Sequence, residues 1–279
     1  MNKIICTVIF VLTHFSFCCL SFADENRKLI INGDLEMVTR LAAPQDSPLD
    51  EIRSGWTFRI KETQDLEMDD FDNPAFIFID QGIELWEKKE GDKACASCHG
   101  NIASMKGLRA ELPRWNNKKN ELYTMEEYIN DCRHERMGLD KWKWSESKMT
   151  AMTSLISLQS RGMAVNVKID GPVSQSFELG KKIYYTRVGQ LDMSCANCHE
   201  DYYDVMIRAD HLSQGQINGF PTYRLKNAKM NSIHGRFKGC MKNIRATPYK
   251  EGSDEFKALE LFVSSRGQGL SVESPSVRN

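Results

Sequence analysis

Cys95-Ala-Ser-Cys98-His99 and Cys195-Ala-Asn-Cys198-His199 begin 100 residues apart in a chain of 279 residues. Each residue type in this pattern has its own chemical task. Two thiols separated by two residues can add to the two vinyl groups on one edge of a porphyrin. The histidine that follows presents an imidazole nitrogen to the iron. A CxxC pair alone also suits a redox dithiol or half of a zinc site, but two copies, each followed at once by histidine, point to covalent haem. The pattern predicts two haem c groups, attached at Cys95, Cys98, Cys195 and Cys198, with His99 and His199 as proximal iron ligands.

Working outward, the surroundings of the two motifs echo each other. Gly82-x-x-Leu85-Trp86 precedes the first by about one helix length, and Gly180-x-x-Ile183-Tyr184 precedes the second in the same way. This weak internal repeat predicts a mainly α fold of two cytochrome c-like haem domains with an irregular N-terminal arm. The arm and first domain would occupy residues 24–165 and the second, catalytic domain residues 166–279. The joint falls between Arg161 and Phe177, where Gly162, Gly171 and Pro172 interrupt the helical pattern. The arm before Phe71 is polar and is expected to wrap the first domain.

Helices are legible around the motifs. Thr124-Met125-Glu126-Glu127 is a capping-box start, and Met125, Tyr128, Ile129 and Cys132 then share one face. Ser147 to Gln159 reads as a helix with Met149, Met152, Leu155 and Ile156 inward. Ile233, Phe237, Cys240 and Ile244 share another face, and Ser253 caps a last helix.

Residues 1–23 read as a signal peptide, with Lys3 as the charged start, Ile4 to Leu12 as the apolar run and Ser21-Phe22-Ala23 before the cut. His14 breaks the apolar run well short of the ~20 residues that span a bilayer, so no membrane anchor is expected. Cys18 and Cys19 lie among large residues, a poor lipoprotein context. Without a twin-arginine pair, general secretion to the periplasm is the expected route. The remaining chain has 36 basic and 38 acidic side chains, a net charge of −2, and no polybasic run. That argues against nucleic acid as a partner.

Six cysteines remain after the signal, and four belong to the motifs. Cys132 lies 33 residues after His99 and Cys240 lies 41 after His199. In an oxidising compartment the two could form a disulfide. Alternatively each could be the distal ligand of one haem, a role that one of the many methionines could also fill. A thiolate donates more electron density to iron than a thioether and lowers the potential, which suits a sulfur-handling catalyst better than an electron carrier. Around Cys240 the chain reads His234-Gly-Arg236-Phe-Lys238-Gly-Cys240-Met-Lys242-Asn-Ile-Arg245. Arg236, one helical turn before the thiol, is its neighbour on the same face, and the basic groups could hold a small dianion there or meet haem propionates. Cys132 has the mixed neighbours Arg133, His134, Glu135 and Arg136, so the first haem is assigned to electron transfer.

With these residues in view the chain resembles the SoxA family, the dihaem subunits of thiosulfate-oxidising SoxAX complexes. The likeness runs through Asp69-Asp70-Phe71-x-Asn73-Pro74, both CxxCH motifs, Ile129-Asn-x-Cys132-Arg133, Gly235-Arg236-Phe237-x-Gly239-Cys240 and Arg266-Gly-x-Gly-Leu270. The resemblance implies that Cys132 and Cys240 are the distal haem ligands, that Cys240 is catalytic and can be a persulfide, and that Arg236 binds substrate, with Arg266 a further candidate. It implies a monohaem partner, SoxX, and oxidative conjugation of thiosulfate to a cysteine of the SoxY(Z) carrier, with electrons passing to a c-type cytochrome acceptor. Two alternatives stand beside this: a thiosulfate dehydrogenase forming tetrathionate, and a plain dihaem electron carrier.

Overall fold

The computed structural model describes residues 27–208 and 210–279; the signal-peptide reading lies outside them. Eight α-helices are present among the described residues. They are α1 (Lys61–Met68), α2 (Phe76–Glu87), α3 (Cys95–His99), α4 (Met125–Asp131), α5 (Ser147–Leu158), α6 (Ser174–Tyr185), α7 (Ile233–Asn243) and α8 (Asp254–Arg266). Strands are two or three residues long, and the largest sheet joins Lys229–Asn231, Thr222–Arg224 and Ser276–Arg278. The mainly α expectation holds.

The helices follow from their ends and their apolar faces. Thr124 and Glu127 form the reciprocal capping box expected for α4, with Thr124 N–H donating to the Glu127 carboxylate at 3.1 Å. Ser232 and Ser253 accept from Gly235 and Phe256 N–H at the starts of α7 and α8. The predicted inward residues of α5, Met149, Met152, Leu155 and Ile156, are buried in one cluster with Ile79 and Trp86 of α2. A second cluster joins Tyr184 of α6 to Phe256, Leu259, Phe262 and Val263 of α8.

The repeated glycines are the crossing points of these pairs. A Cβ on Gly82 would lie 2.8 Å from both the Ala151 carbonyl oxygen and Leu155 Cβ. One on Gly180 would overlap the Ala258 carbonyl oxygen and lie 2.9 Å from Phe262 Cβ. Backbone obstacles do not move aside as side-chain tips do. Gly180→Ala is therefore expected to cost at least the roughly 1–3 kcal/mol of an overpacked core, read as a lower denaturant midpoint. Gly239 lies inside α7, and a Cβ there would meet nothing within 4 Å. The sign is opposite: Gly239→Ala should gain about 1 kcal/mol of helix propensity.

The N-terminal arm departs from expectation. Arg53 N–H donates to Gln214 Oε1 at 2.7 Å, Gln214 Nε2 returns to the Glu51 carbonyl at 2.9 Å, and Ser271 N–H donates to the Val38 carbonyl at 2.9 Å. Leu49 and Ile52 pack with Leu270. The arm thus packs mainly on the C-terminal half, because its short strands need backbone and amide partners that residues 214 and 270–273 supply. The link between the halves also pairs there, with Gly162 N–H to the Val272 carbonyl at 3.0 Å and Val165 N–H to the Leu270 carbonyl at 2.9 Å.

Candidate functional site

In both motifs the residue before the second cysteine closes the turn. Ser97 Oγ accepts the Ala94 N–H and Asn197 Oδ1 accepts the Ser194 N–H, each at 2.9 Å. These short polar residues act as local caps that hold each cysteine pair on one turn.

At the first motif, His99 Nε2 and Cys132 Sγ face each other at 3.8 Å. Cys132 opens a widened turn, Cys132–Arg136, that continues α4 with five-residue spacing, a feature frequent at functional positions. Beside it is a cavity of about 560 Å³ lined by Trp115, Tyr128 and Cys132, with Arg114 and Arg136 among its walls. Aromatic walls, two guanidiniums and opposed nitrogen and sulfur atoms fit a flat apolar ring that bears carboxylates and a central metal. Arg133 is not part of that rim. It donates to Glu90 at 2.8 and 3.2 Å and stacks over Trp142 at 4.0 Å.

The second motif is more enclosed. His199 Nδ1 lies 2.7 Å from the Ser213 carbonyl oxygen. A carbonyl only accepts, so Nδ1 carries the proton and Nε2 is left as the free lone pair, the orientation expected of an iron-ligating histidine. Gly215 presses on the same ring: it has φ of 74°, and a Cβ there would lie 2.7 Å from His199 Cγ. Burial lowers the His199 pKa, against the Ser213 bond, and so favours the neutral imidazole. Burial, then the neighbouring Cys240 and Cys198, pushes the Cys195 thiol up to about 12. The same two causes, burial and then Cys240, raise Cys198. The fold thus brings Cys240 of α7 within electrostatic reach of both cysteines of the motif. All six described cysteines are free, so Cys132 and Cys240 are not joined.

The structure also sorts the basic residues around Cys240. His234 is buried, stacked on Trp144 at 4.5 Å and 3.1 Å from Glu260. Lys238 is paired with Glu251 at 3.1 Å, while Lys242 and Arg245 are exposed. Arg236 is half-buried on the thiol's helix, and its charge acts on His199. Arg266 pairs with Glu200 and lies over the Tyr184 ring at 4.6 Å, and its charge also reaches His199 and Cys195. Sequence reasoning missed Ser213, Gly215, Arg59, Asp210 and Arg224. Of these only Gly215 carries a local signal, a glycine shortly after the motif.

Paired helices that cross at a glycine, a CxxCH turn beside each pair and an opposed sulfur donor define a c-type cytochrome, in which haem c is bound covalently. Comparison with known proteins agrees: residues 81–165 match the family described as SoxA/TsdA, cytochrome c domain. The chain is 58% identical to the L-cysteine S-thiosulfotransferase subunit SoxA of Paracoccus pantotrophus, over 89% of this chain and 87% of that one. It is 55% identical to the subunit of that name from Rhodovulum sulfidophilum, over 92% and 91%. The crystal structure of SoxXA from P. pantotrophus superposes with a TM-score of 0.89 at 57% identity, covering 91% of this chain and 99% of that one. The chain belongs to the SoxA family.

Proposed function

We propose that this chain is the SoxA-type subunit of an L-cysteine S-thiosulfotransferase, paired with a monohaem SoxX subunit. Its net reaction joins the outer sulfur of thiosulfate to a cysteine thiol of a SoxY-type carrier. One S–S bond forms, the thiol releases its proton, and two electrons leave to c-type cytochrome acceptors. Haem, when bound, supplies the one-electron acceptor chemistry. Residues 24–165 and 166–279 would each hold one haem, through Cys95, Cys98, His99 and Cys132, and through Cys195, Cys198, His199 and Cys240. No described helix is long and apolar enough to cross a membrane, and the N-terminal signal directs the chain to the periplasm.

The observation that carries this reading is the convergence on Cys240. Its sulfur lies within electrostatic reach of both attachment cysteines of the second motif, and Arg236 stands one turn before it on α7. Cys240 is suited to hold sulfur transiently, and Arg236 to neutralise the sulfonate. The test is mass spectrometry of the carrier after incubation with thiosulfate, an oxidant and the assembled complex, wild type or Cys240→Ala. A thiosulfonate adduct that depends on Cys240 is expected. Tetrathionate with unmodified carrier would instead mean a dehydrogenase, and no sulfur product an electron carrier.

A further inference from the structure

The charges that complete the Cys240 site come from outside its helix. Strand Thr222–Arg224 pairs with Lys229–Asn231, which leads directly into the Ser232 cap of α7. It also runs parallel to Ser276–Arg278. Arg224 Nε donates to the Asn279 carbonyl oxygen at 2.7 Å, and Nη2 points to Asp210 Oδ2 at 3.4 Å. A guanidinium has five N–H donors, so most of those on Arg224 remain available.

Asp210 is shared. Arg59 Nη1 donates to its other oxygen at 2.9 Å, and Arg59 Nη2 donates to the His211 carbonyl. The Arg59 side chain is 4% exposed and that of Arg224 17%. One carboxylate therefore serves two guanidiniums held largely out of water. Arg236 is a third: its charge acts on both of them, and Arg224 is also within electrostatic reach of Cys240. Three positive charges thus face the Asp210 carboxylate and the Cys240 sulfur, which is itself negative as a thiolate. Gathering three guanidiniums where water is partly excluded costs free energy that an entering anion offsets, and a small oxyanion can draw on all three.

We propose that Arg224 is a second substrate-binding residue, which with Arg236 holds the sulfonate end of thiosulfate beside Cys240 while Asp210 and the Asn279 carbonyl fix its orientation. This rests on the thiosulfate reading above. The sulfonate offers more acceptor oxygens than one guanidinium can fill. Gripping it from α7 and from the strand leaves the outer sulfur free for chemistry. Sulfate and sulfite share the acceptor geometry and the double charge, so they should compete.

The test is calorimetric titration of the assembled, haem-loaded complex with thiosulfate, and with sulfate as competitor. Wild type is compared with Arg224→Gln, Arg224→Lys and Asp210→Asn. Losing charge-assisted hydrogen bonds should raise Kd for thiosulfate roughly ten- to a hundredfold in Arg224→Gln, with partial recovery in Arg224→Lys. Asp210→Asn keeps an acceptor but removes the negative charge, so its Kd should fall below wild type. A merely damaged fold would raise it. In turnover the Arg224→Gln loss should appear in KM for thiosulfate and not in KM for the carrier, with the haem spectrum unchanged. Wild-type affinity in Arg224→Gln overturns the proposal, as does a wild-type complex that does not bind thiosulfate. Tight wild-type binding that depends on Arg224 but gives no carrier adduct would sustain the anion site and sink the thiosulfotransferase reading.

Discussion

On the proposed ligation, Cys240→Met should raise the potential of the haem held at Cys195 and Cys198 by on the order of a few hundred millivolts, within the roughly 0.8 V that axial ligands span. The cause is the charge of the donor. A thiolate stabilises ferric iron, whereas a neutral thioether favours the ferrous form. The enclosed position of the site strengthens the effect, because a buried charge is poorly screened; His199 and the Cys195 thiol are both shifted chiefly by burial. A spectroscopic redox titration that resolves the two haems is the measurement. The site where His99 and Cys132 face each other at 3.8 Å does not include Cys240, so a haem held there should keep its potential. Cys132→Met should shift that one alone. An unchanged second potential in Cys240→Met would remove Cys240 from the iron and leave the methionines as candidates.

Arg278→Ala should cost about 3–5 kcal/mol of stability, the penalty for stranding buried charge. Arg278 Nη1 binds Glu67 and Nη2 binds Glu273 at 2.7 Å, while Ser54 Oγ also donates to Glu273. The two carboxylates are 1% and 0% exposed at the side chain. One positive charge faces two negative ones, so one carboxyl tends to keep a proton. Burial, opposed by Arg278 and helped by the Glu273 charge, raises Glu67 to about 8. Between its ordinary pKa near 4.5 and about 8, the folded state binds more protons than the unfolded one. Stability from this group therefore falls as pH rises across that window. Removing Arg278 should steepen the fall and leave the variant least stable above pH 8, read as denaturant midpoints across pH. A loss below 1 kcal/mol with no pH trend would show that the cluster is not the buried network described.

Much of the site was legible because its chemistry is local. A CxxCH turn holds its attachment thiols and proximal imidazole within five residues, and Ser97 and Asn197 close that turn from inside it. The caps of α4 and α8 are also local, so Thr124 and Ser253 sit where polar side chains before apolar stripes place helix starts. Gly82 and Gly180 showed as a repeat, though only the packed helices reveal them as crossing points. The placement of the arm was misread, since polar strands of two or three residues carry no signal of which partner completes them.

The sequence by itself determined the haem-binding class, the helical character and the candidate thiols, because each rests on neighbours a few residues apart. Only the tertiary structure decided which basic residues serve Cys240. It pairs Lys238 with Glu251, buries His234 against Trp144 and Glu260, and ties Arg266 to Glu200. It brings Arg224 and the distant Arg59 to one Asp210 carboxylate. Charge acts through space, and the free energy of an ion depends on its burial and its counter-ions, neither of which chain order specifies.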